Sequence, residues 1–277
     1  MVSSVKRPVS PSVTCSTAES VAVQPLIVGL GGSEGGNAWA SDHWKAQRDR
    51  FINQGYAFLA IGYFGMEGTP EHLDRISLDA IRDAAVEAVA HPDVADDCFA
   101  VIGGSRGAEA ALLLGSHFPE VTAVVAIVPG NAVFPALNYA MTTAGFSLAG
   151  EPLAFVPVPW GAAPELLMGD LHGAFEDMRA NRDAVAQAVI AVERINGPVL
   201  FVSATRDEMW ASTEMSEAMM QRLDAHGFPH AAQHIAIEGG HSAPFEHFDR
   251  IEAFLADHYP ASELTTARPC GRTDETI

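Results

Sequence analysis

The stretch Cys98-Phe99-Ala100-Val101-Ile102-Gly103-Gly104-Ser105-Arg106-Gly107-Ala108-Glu109-Ala110-Ala111 decides how the rest of the chain is read. A short apolar run stops at Gly103, a serine stands between glycines, and a small-residue helical pattern comes next. That order of strand, sharp turn and helix, with the spacing Gly-x-Ser-x-Gly, is the grammar of a nucleophile elbow. Such a turn holds the serine in strained backbone geometry and lifts its hydroxyl clear of the sheet edge. Glycine at 103 and 107 lets strand and helix approach without Cβ clashes. Ala108, Ala110 and Ala111 keep the helix slim where it packs.

A second stretch, Gly31-Gly32-Ser33-Glu34-Gly35, has the same spacing, and the residues after each serine separate the two. After Ser105 a helical pattern runs unbroken from Ala108 to His117, with Ala111, Leu112 and Leu114 apolar. After Ser33 comes Gly35-Gly36-Asn37, a loop composition that cannot open a helix at once. Ser105 is therefore the expected nucleophile.

The 277 residues, 48% of them hydrophobic, suffice for one large domain or one domain with an insertion. No run of about 18 apolar residues spans a membrane, and Met1 to Ser20 lacks the apolar core of a signal peptide. Residues 1–20 and 261–277 read as flexible tails around a domain at 21–260. Cys15, Cys98 and Cys270 are odd in number and lack metal-type spacing. No disulfide framework is implied, which favours a reducing cytoplasm. A net charge of −19 argues against nucleic acid or an anionic membrane surface as partner. It is also awkward for a polyanionic substrate, unless cations collect locally.

Outward from the elbow, apolar runs alternate with amphipathic stretches. Val23 to Leu30, Ala57 to Tyr63 and Thr122 to Val128 read as buried parallel strands, and Ala40 to Gln54 and Leu73 to Ala90 as helices. That rhythm means βαβ units and a mostly parallel sheet flanked by helices. It breaks after Pro129. Residues 130–196, rich in proline and aromatics and ending in a helical stretch from about Leu171 to Arg194, read as a cap insertion over the sheet's C-terminal edge. Phe134 and Trp160 within it fit core or pocket lining equally well. Order resumes with Pro198 to Ala204 as a strand, Ala211 to His226 as a helix, Ala231 to Glu238 as a strand and Ala243 to His258 as a closing helix.

A serine hydroxyl needs an adjacent base, itself oriented by a third group. The strand ending at Ala204 runs into Thr205-Arg206-Asp207-Glu208, and the one ending at Glu238 into Gly239-Gly240-His241-Ser242. The chain order Ser105, Asp207, His241 is that of the α/β-hydrolase fold. Glu208 is a rival for the acid, and the bland role for Asp207 is to cap the next helix. His226, His230 and His234 are spaced by four, but Gly227 and Pro229 break any helix there, so zinc is discounted. For the oxyanion, the backbone N–H of Arg106 and that of Ser33, with Gly32 as alternative, are the expected donors. The glycines at 31–36 fit neither a phosphate-binding nor a dinucleotide-binding loop, and no cofactor is called for. Met215, Met219 and Met220 read as core.

With these residues placed, the chain resembles a known family. Leu30-Gly31-Gly32-Ser33-Glu34-Gly35-Gly36, Gly103-Gly104-Ser105-Arg106-Gly107-Ala108-Glu109, Arg206-Asp207-Glu208-Met209-Trp210, Ala225-His226-Gly227 and Gly240-His241 together look like the C-terminal domain of the acyl-CoA thioesterase / bile acid-CoA:amino acid N-acyltransferase family. The resemblance covers roughly residues 24 to 260. It implies an α/β-hydrolase, similar also to dienelactone hydrolases, with a Ser105–Asp207–His241 triad acting on acyl thioesters. Serine at 105 resembles the hydrolytic members, whereas conjugating members tend to carry cysteine. Animal members add an N-terminal β-sandwich that the few residues before the first strand do not supply, and the sheet is expected to be shorter than the usual eight strands. Many relatives have an acidic pair before the tryptophan, where this chain has Arg206 and Asp207.

The function expected is that of a serine hydrolase, a thioesterase or esterase taking a small-molecule acyl thioester or ester. Transfer of the acyl group to an amine or alcohol, a carboxylesterase or peptidase of the same fold, and a non-catalytic ligand-binding scaffold are the alternatives.

Overall fold

Strict alternation along the central strands sorts their side chains into two helical layers. A computed structural model describes residues 11–16, 24–90 and 94–261. In chain order the elements are β1 (Ser12–Ser16), β2 (Gln24–Leu30), α1 (Lys45–Asn53), β3 (Ala57–Gly62), the two-residue β4 (Ile76–Ser77), α2 (Leu78–Val89), β5 (Val94–Gly104), α3 (Arg106–His117) and β6 (Val121–Ile127). The insertion holds β7 (Phe146–Leu148), β8 (Glu151–Pro152), α4 (Ala163–Met168), α5 (Leu171–Ala180) and α6 (Arg182–Ala188). β9 (Val199–Ala204), α7 (Ser212–Ala225), β10 (Ala232–Ile237) and α8 (Phe248–His258) close the fold.

Among the described residues the main sheet has seven strands in the order β1-β3-β2-β5-β6-β9-β10. All neighbours are parallel except β1, which lies antiparallel to β3 with Ser12 opposite Gly62. Leu26, Val28 and Leu30 of β2, Val124 and Ala126 of β6, and Val199 and Phe201 of β9 face one layer, which α2, α3 and α7 complete. Ile27, Val125, Ile127, Leu200 and Val202 face the other, with Phe51 of α1 and Phe248 and Ile251 of α8. Side chains that alternate by two along a strand produce this division, and two covered faces explain why the strands read as continuous apolar runs.

Three expectations change. Ser12–Ser16, inside the stretch read as a tail, forms the antiparallel edge strand β1; the rest of 1–20, apart from Pro11, and all of 262–277 lie outside the described residues. The helical stretch at 171–194 is broken into α5, α6 and a short 3-10 turn, because Asn181 ends α5 and its side chain accepts the Ala184 N–H to start α6. Cys98 is disulfide-bonded, so cysteine usage gives no argument for a reducing compartment. Among the described residues no helix is long and apolar enough to cross a membrane.

Candidate active site

The elbow is built by close backbone approach. A Cβ at Gly103 would stand 2.0 Å from the Gly107 carbonyl oxygen, and one at Gly107 would stand 2.4 Å from that of Gly31, so only glycine fits either place. Between them Ser105 takes φ 54° and ψ −121°, outside the regions ordinary L-residues populate. Its amide continues the sheet by donating to the Ile127 carbonyl, and its own carbonyl accepts the N–H groups of Ala108 and Glu109. Helix geometry leaves the first N–H groups of α3, those of Arg106 and Gly107, without intrahelical acceptors and gives this end partial positive charge.

The acid and the imidazole come from the loops after β9 and β10. His241 Nδ1 lies 2.8 Å from Asp207 Oδ1; a carboxylate only accepts, so Nδ1 carries the proton and Nε2 is left free. Asp207 Oδ1 also accepts the Met209 and Trp210 N–H groups, and Oδ2 accepts the Ser212 hydroxyl at 2.6 Å. Burial alone would raise the Asp207 carboxyl, but the hydrogen bonds from His241 and Ser212 outweigh it and hold the group below the usual carboxylate range. The helix-capping role weighed for Asp207 is not what these bonds do: α7 begins after Ala211 with no side-chain cap, and Asp207 instead holds the turn before it through the Met209 and Trp210 N–H groups. Glu208, the rival acid, points elsewhere and accepts the His241 backbone N–H at 2.8 Å, pinning the Gly239–Gly240 turn.

Ser105, His241, Gly32 and Ser33 line one cavity of about 420 Å³. Leu30, Trp39, Trp44, Met209 and Phe245 give it an apolar, largely aromatic wall, with Glu34 and His43 as its other titratable side chains. Trp39 is fixed by an indole hydrogen bond to the Leu30 carbonyl and by ring contacts with Trp44, Phe58 and Phe248. Ser105 and His241 share this cavity without a hydrogen bond between them among the described residues; ligand-free sites often close that contact only around substrate.

None of residues 130–196 lines the cavity. Phe134 is fully buried in a separate cluster with Val156, Phe175, Met178, Trp210 and Met215, and Trp160 is 97% exposed. What the insertion does is brace the site from behind. Trp210 stacks on Phe134, donates its indole N–H to the Val128 carbonyl and lies edge-on to His241. His172 of α5 donates from Nδ1 to the Asp207 carbonyl. Arg106, 2% exposed, pairs with the fully buried Glu109, and the two exchange hydrogen bonds with the backbone of Phe134. Burial pushes the Glu109 carboxyl up to about 7, against the pull of Arg106 and of the Phe134 N–H. Of these supporting groups the sequence offered Glu208 only as a rival, and Ser212, His172 and the Arg106 side chain carry no local signal. Val128, β-branched yet at φ 46°, is a second strained residue at a neighbouring strand end.

The histidines spaced by four are engaged separately: His226 with the Arg222 carbonyl and His234 with the Ser203 hydroxyl. Met215 and Met219 are buried and Met220 packs on the core.

A mostly parallel sheet between helical layers, with Ser105, Asp207 and His241 at strand carboxyl ends, defines an α/β hydrolase. Solved structures agree: a puromycin-hydrolysing peptidase of Mycobacterium tuberculosis matches with a TM-score of 0.59 at 16% identity, over 94% of this chain and 38% of that one. Est1E of Butyrivibrio proteoclasticus, solved with ferulic acid, matches with a TM-score of 0.58 at 16% identity, over 90% of this chain and 95% of that one.

The chain belongs to the BAAT / acyl-CoA thioester hydrolase C-terminal family, whose model matches residues 81–253. A second model, an alpha/beta hydrolase of unknown function, matches residues 12–143. Among curated proteins, acyl-coenzyme A amino acid N-acyltransferase 1 of Mus musculus is 28% identical over 63% of this chain and 39% of its own length. Peroxisomal succinyl-coenzyme A thioesterase of Mus musculus is 26% identical over 62% of this chain and 39% of its own length. The chain thus spans about two fifths of the length of these relatives.

Proposed function

We propose that this protein is a serine-dependent hydrolase of acyl thioesters or esters. The observation that carries the reading is the 2.8 Å Asp207–His241 contact opening on the cavity that Ser105 enters from its strained turn. Ser105 Oγ attacks the acyl carbonyl while His241 Nε2 takes its proton, and Asp207 holds the imidazole tautomer. The Arg106 N–H and a second from Ser33 or Gly32 receive the oxyanion, aided by the positive end of α3. Collapse of the tetrahedral intermediate expels the thiolate or alkoxide, which leaves with the His241 proton. Water, deprotonated by the same imidazole, then releases the acid and restores Ser105.

The named relatives divide between thioesterases and N-acyltransferases, so acyl transfer to an amine is the second reading. Product analysis with and without an added amine separates them. The test of the nucleophile is intact-mass spectrometry after a fluorophosphonate probe on wild type, Ser105→Ala and Ser33→Ala. A single adduct absent only from Ser105→Ala is expected. An adduct that persists in Ser105→Ala and vanishes in Ser33→Ala would move the nucleophile to the other glycine-flanked serine.

A further inference from the structure

Of the two acidic side chains in the loop after β2, Glu34 and Asp42, only Glu34 borders the cavity, at its solvent-exposed side. Glu34 lines the same cavity as Ser105 and His241. Its Oε2 lies 2.9 Å from the point where a Cβ on Gly32 would sit, and Ser105 Cβ lies 3.3 Å from that same point. Oε1 lies 3.2 Å from the corresponding point on Gly31. The carboxylate therefore folds back over the loop backbone, beside the serine. Buried Tyr63, whose hydroxyl donates to the Gly31 carbonyl, senses it: burial first, then the Glu34 charge, push its phenol far above the usual range.

Among the described residues no positive side chain balances this charge in the cavity, whose lining holds neither Lys nor Arg and whose other titratable groups are His43 and His241. The cations placed nearest in sequence to the lining are committed elsewhere. Lys45 pairs with Asp49, Arg48 donates to the Trp39 carbonyl, Arg106 pairs with Glu109 and Arg206 with Glu238. The remaining walls are apolar, so a charge entering the cavity exchanges water for Leu30, Trp39, Trp44 and Phe245. Glu34 is exposed, so a like charge brought beside it is repelled through partly solvated, salt-screened space, with apolar wall on the other side.

We propose that Glu34 selects the acyl donor by charge, admitting neutral or ammonium-bearing acyl groups and rejecting those that end in a carboxylate. The inference rests on the reading of Ser105 as the acyl-accepting nucleophile. A neutral acyl group gains contact with the aromatic wall. An ammonium group gains both the carboxylate and the faces of the tryptophans. A terminal carboxylate meets the like charge of Glu34 with no Lys or Arg in the cavity lining to offset it.

The test uses three N-acetylcysteamine thioesters that share a leaving group: hexanoyl, adipoyl and omega-aminohexanoyl. Wild type is expected to show kcat/KM at least about tenfold higher for hexanoyl than for adipoyl, a like-charge penalty of ordinary size. Glu34→Gln is expected to narrow that ratio to about threefold or less and to lower aminohexanoyl relative to hexanoyl. Should Glu34→Gln not fold, a salt series on wild type decides, because a Coulombic deficit for adipoyl shrinks as ionic strength rises. Equal use of hexanoyl and adipoyl, a ratio unmoved in Glu34→Gln, or a deficit indifferent to salt overturns charge selection while leaving the hydrolase reading intact. No turnover of any of the three overturns the hydrolase reading, and this inference with it.

Discussion

Residues 31–44 and the insertion at 130–196 both leave the sheet at the carboxyl end of a strand, yet they serve opposite purposes. The first, short and rich in glycine, supplies most of the cavity wall, from Gly31 and Gly32 to Trp39, His43 and Trp44. The second, nearly five times as long and rich in aromatics, supplies none of it. Its rings satisfy one another and Trp210 in a cluster of their own, and they reach the site only through the groups behind it. Length explains the difference. An insertion of that size stays ordered only by burying an apolar cluster, which consumes the side chains that composition would assign to a pocket. A short loop anchored at both ends can leave its large residues facing a cavity.

Breaking the insertion's cluster should have the largest effect. Phe134→Ala removes a fully buried ring in contact with Phe175 and Trp210, and about 3–5 kcal/mol of stability should be lost in urea unfolding. A loss under about 1 kcal/mol would mean that the insertion is not held by this cluster.

The complementary change in the short loop is Gly32→Ala. The new Cβ would meet the Gly104 carbonyl at 3.0 Å, Ser105 Cβ at 3.3 Å and the Glu34 carboxylate. We expect kcat/KM to fall about tenfold, roughly 1.4 kcal/mol in transition-state terms, with the urea midpoint little changed. A stability loss as large as that of Phe134→Ala would erase the distinction between the two regions.

A smaller effect concerns Asp207, where the insertion's His172 and the loop-borne His241 meet. Its carboxyl is held below the usual range on folding. Such a group adds stability above its unfolded pKa of about 3.9 and loses it as pH falls through the lower folded value. Between about pH 6 and about pH 3, wild type should lose more thermal stability than Asp207→Asn. Equal losses would show that the hydrogen bonds at Asp207 do not favour its ionised form.

The smallest expected change is Trp160→Ala, at a ring 97% exposed and away from the cavity. Stability should move by no more than about 0.5 kcal/mol, with turnover of small thioesters unchanged. A several-fold change in turnover would bring the insertion into substrate contact.

Much of the fold and the site was legible in the sequence because it rests on local rules. Apolar runs of strand length mark buried strands, Gly103 and Gly107 mark a backbone crossing that excludes any Cβ, and Asp207 and His241 each come directly after a strand. The edge strand β1 was not legible, since Ser12–Ser16 is polar and short and becomes a strand only by pairing with β3. Nor was the use of Glu208, Ser212 and His172, whose acceptors or donors come from other elements.

By itself, then, the chain determined the parallel sheet, the elbow at Ser105 and the positions of Asp207 and His241, because periodicity and steric demand at glycine act over a few residues. Tertiary structure alone decided which aromatics face the cavity, which brace it from behind, and where the Glu34 carboxylate turns. Those outcomes depend on which surfaces meet across the fold, and spacing along a chain carries no record of that.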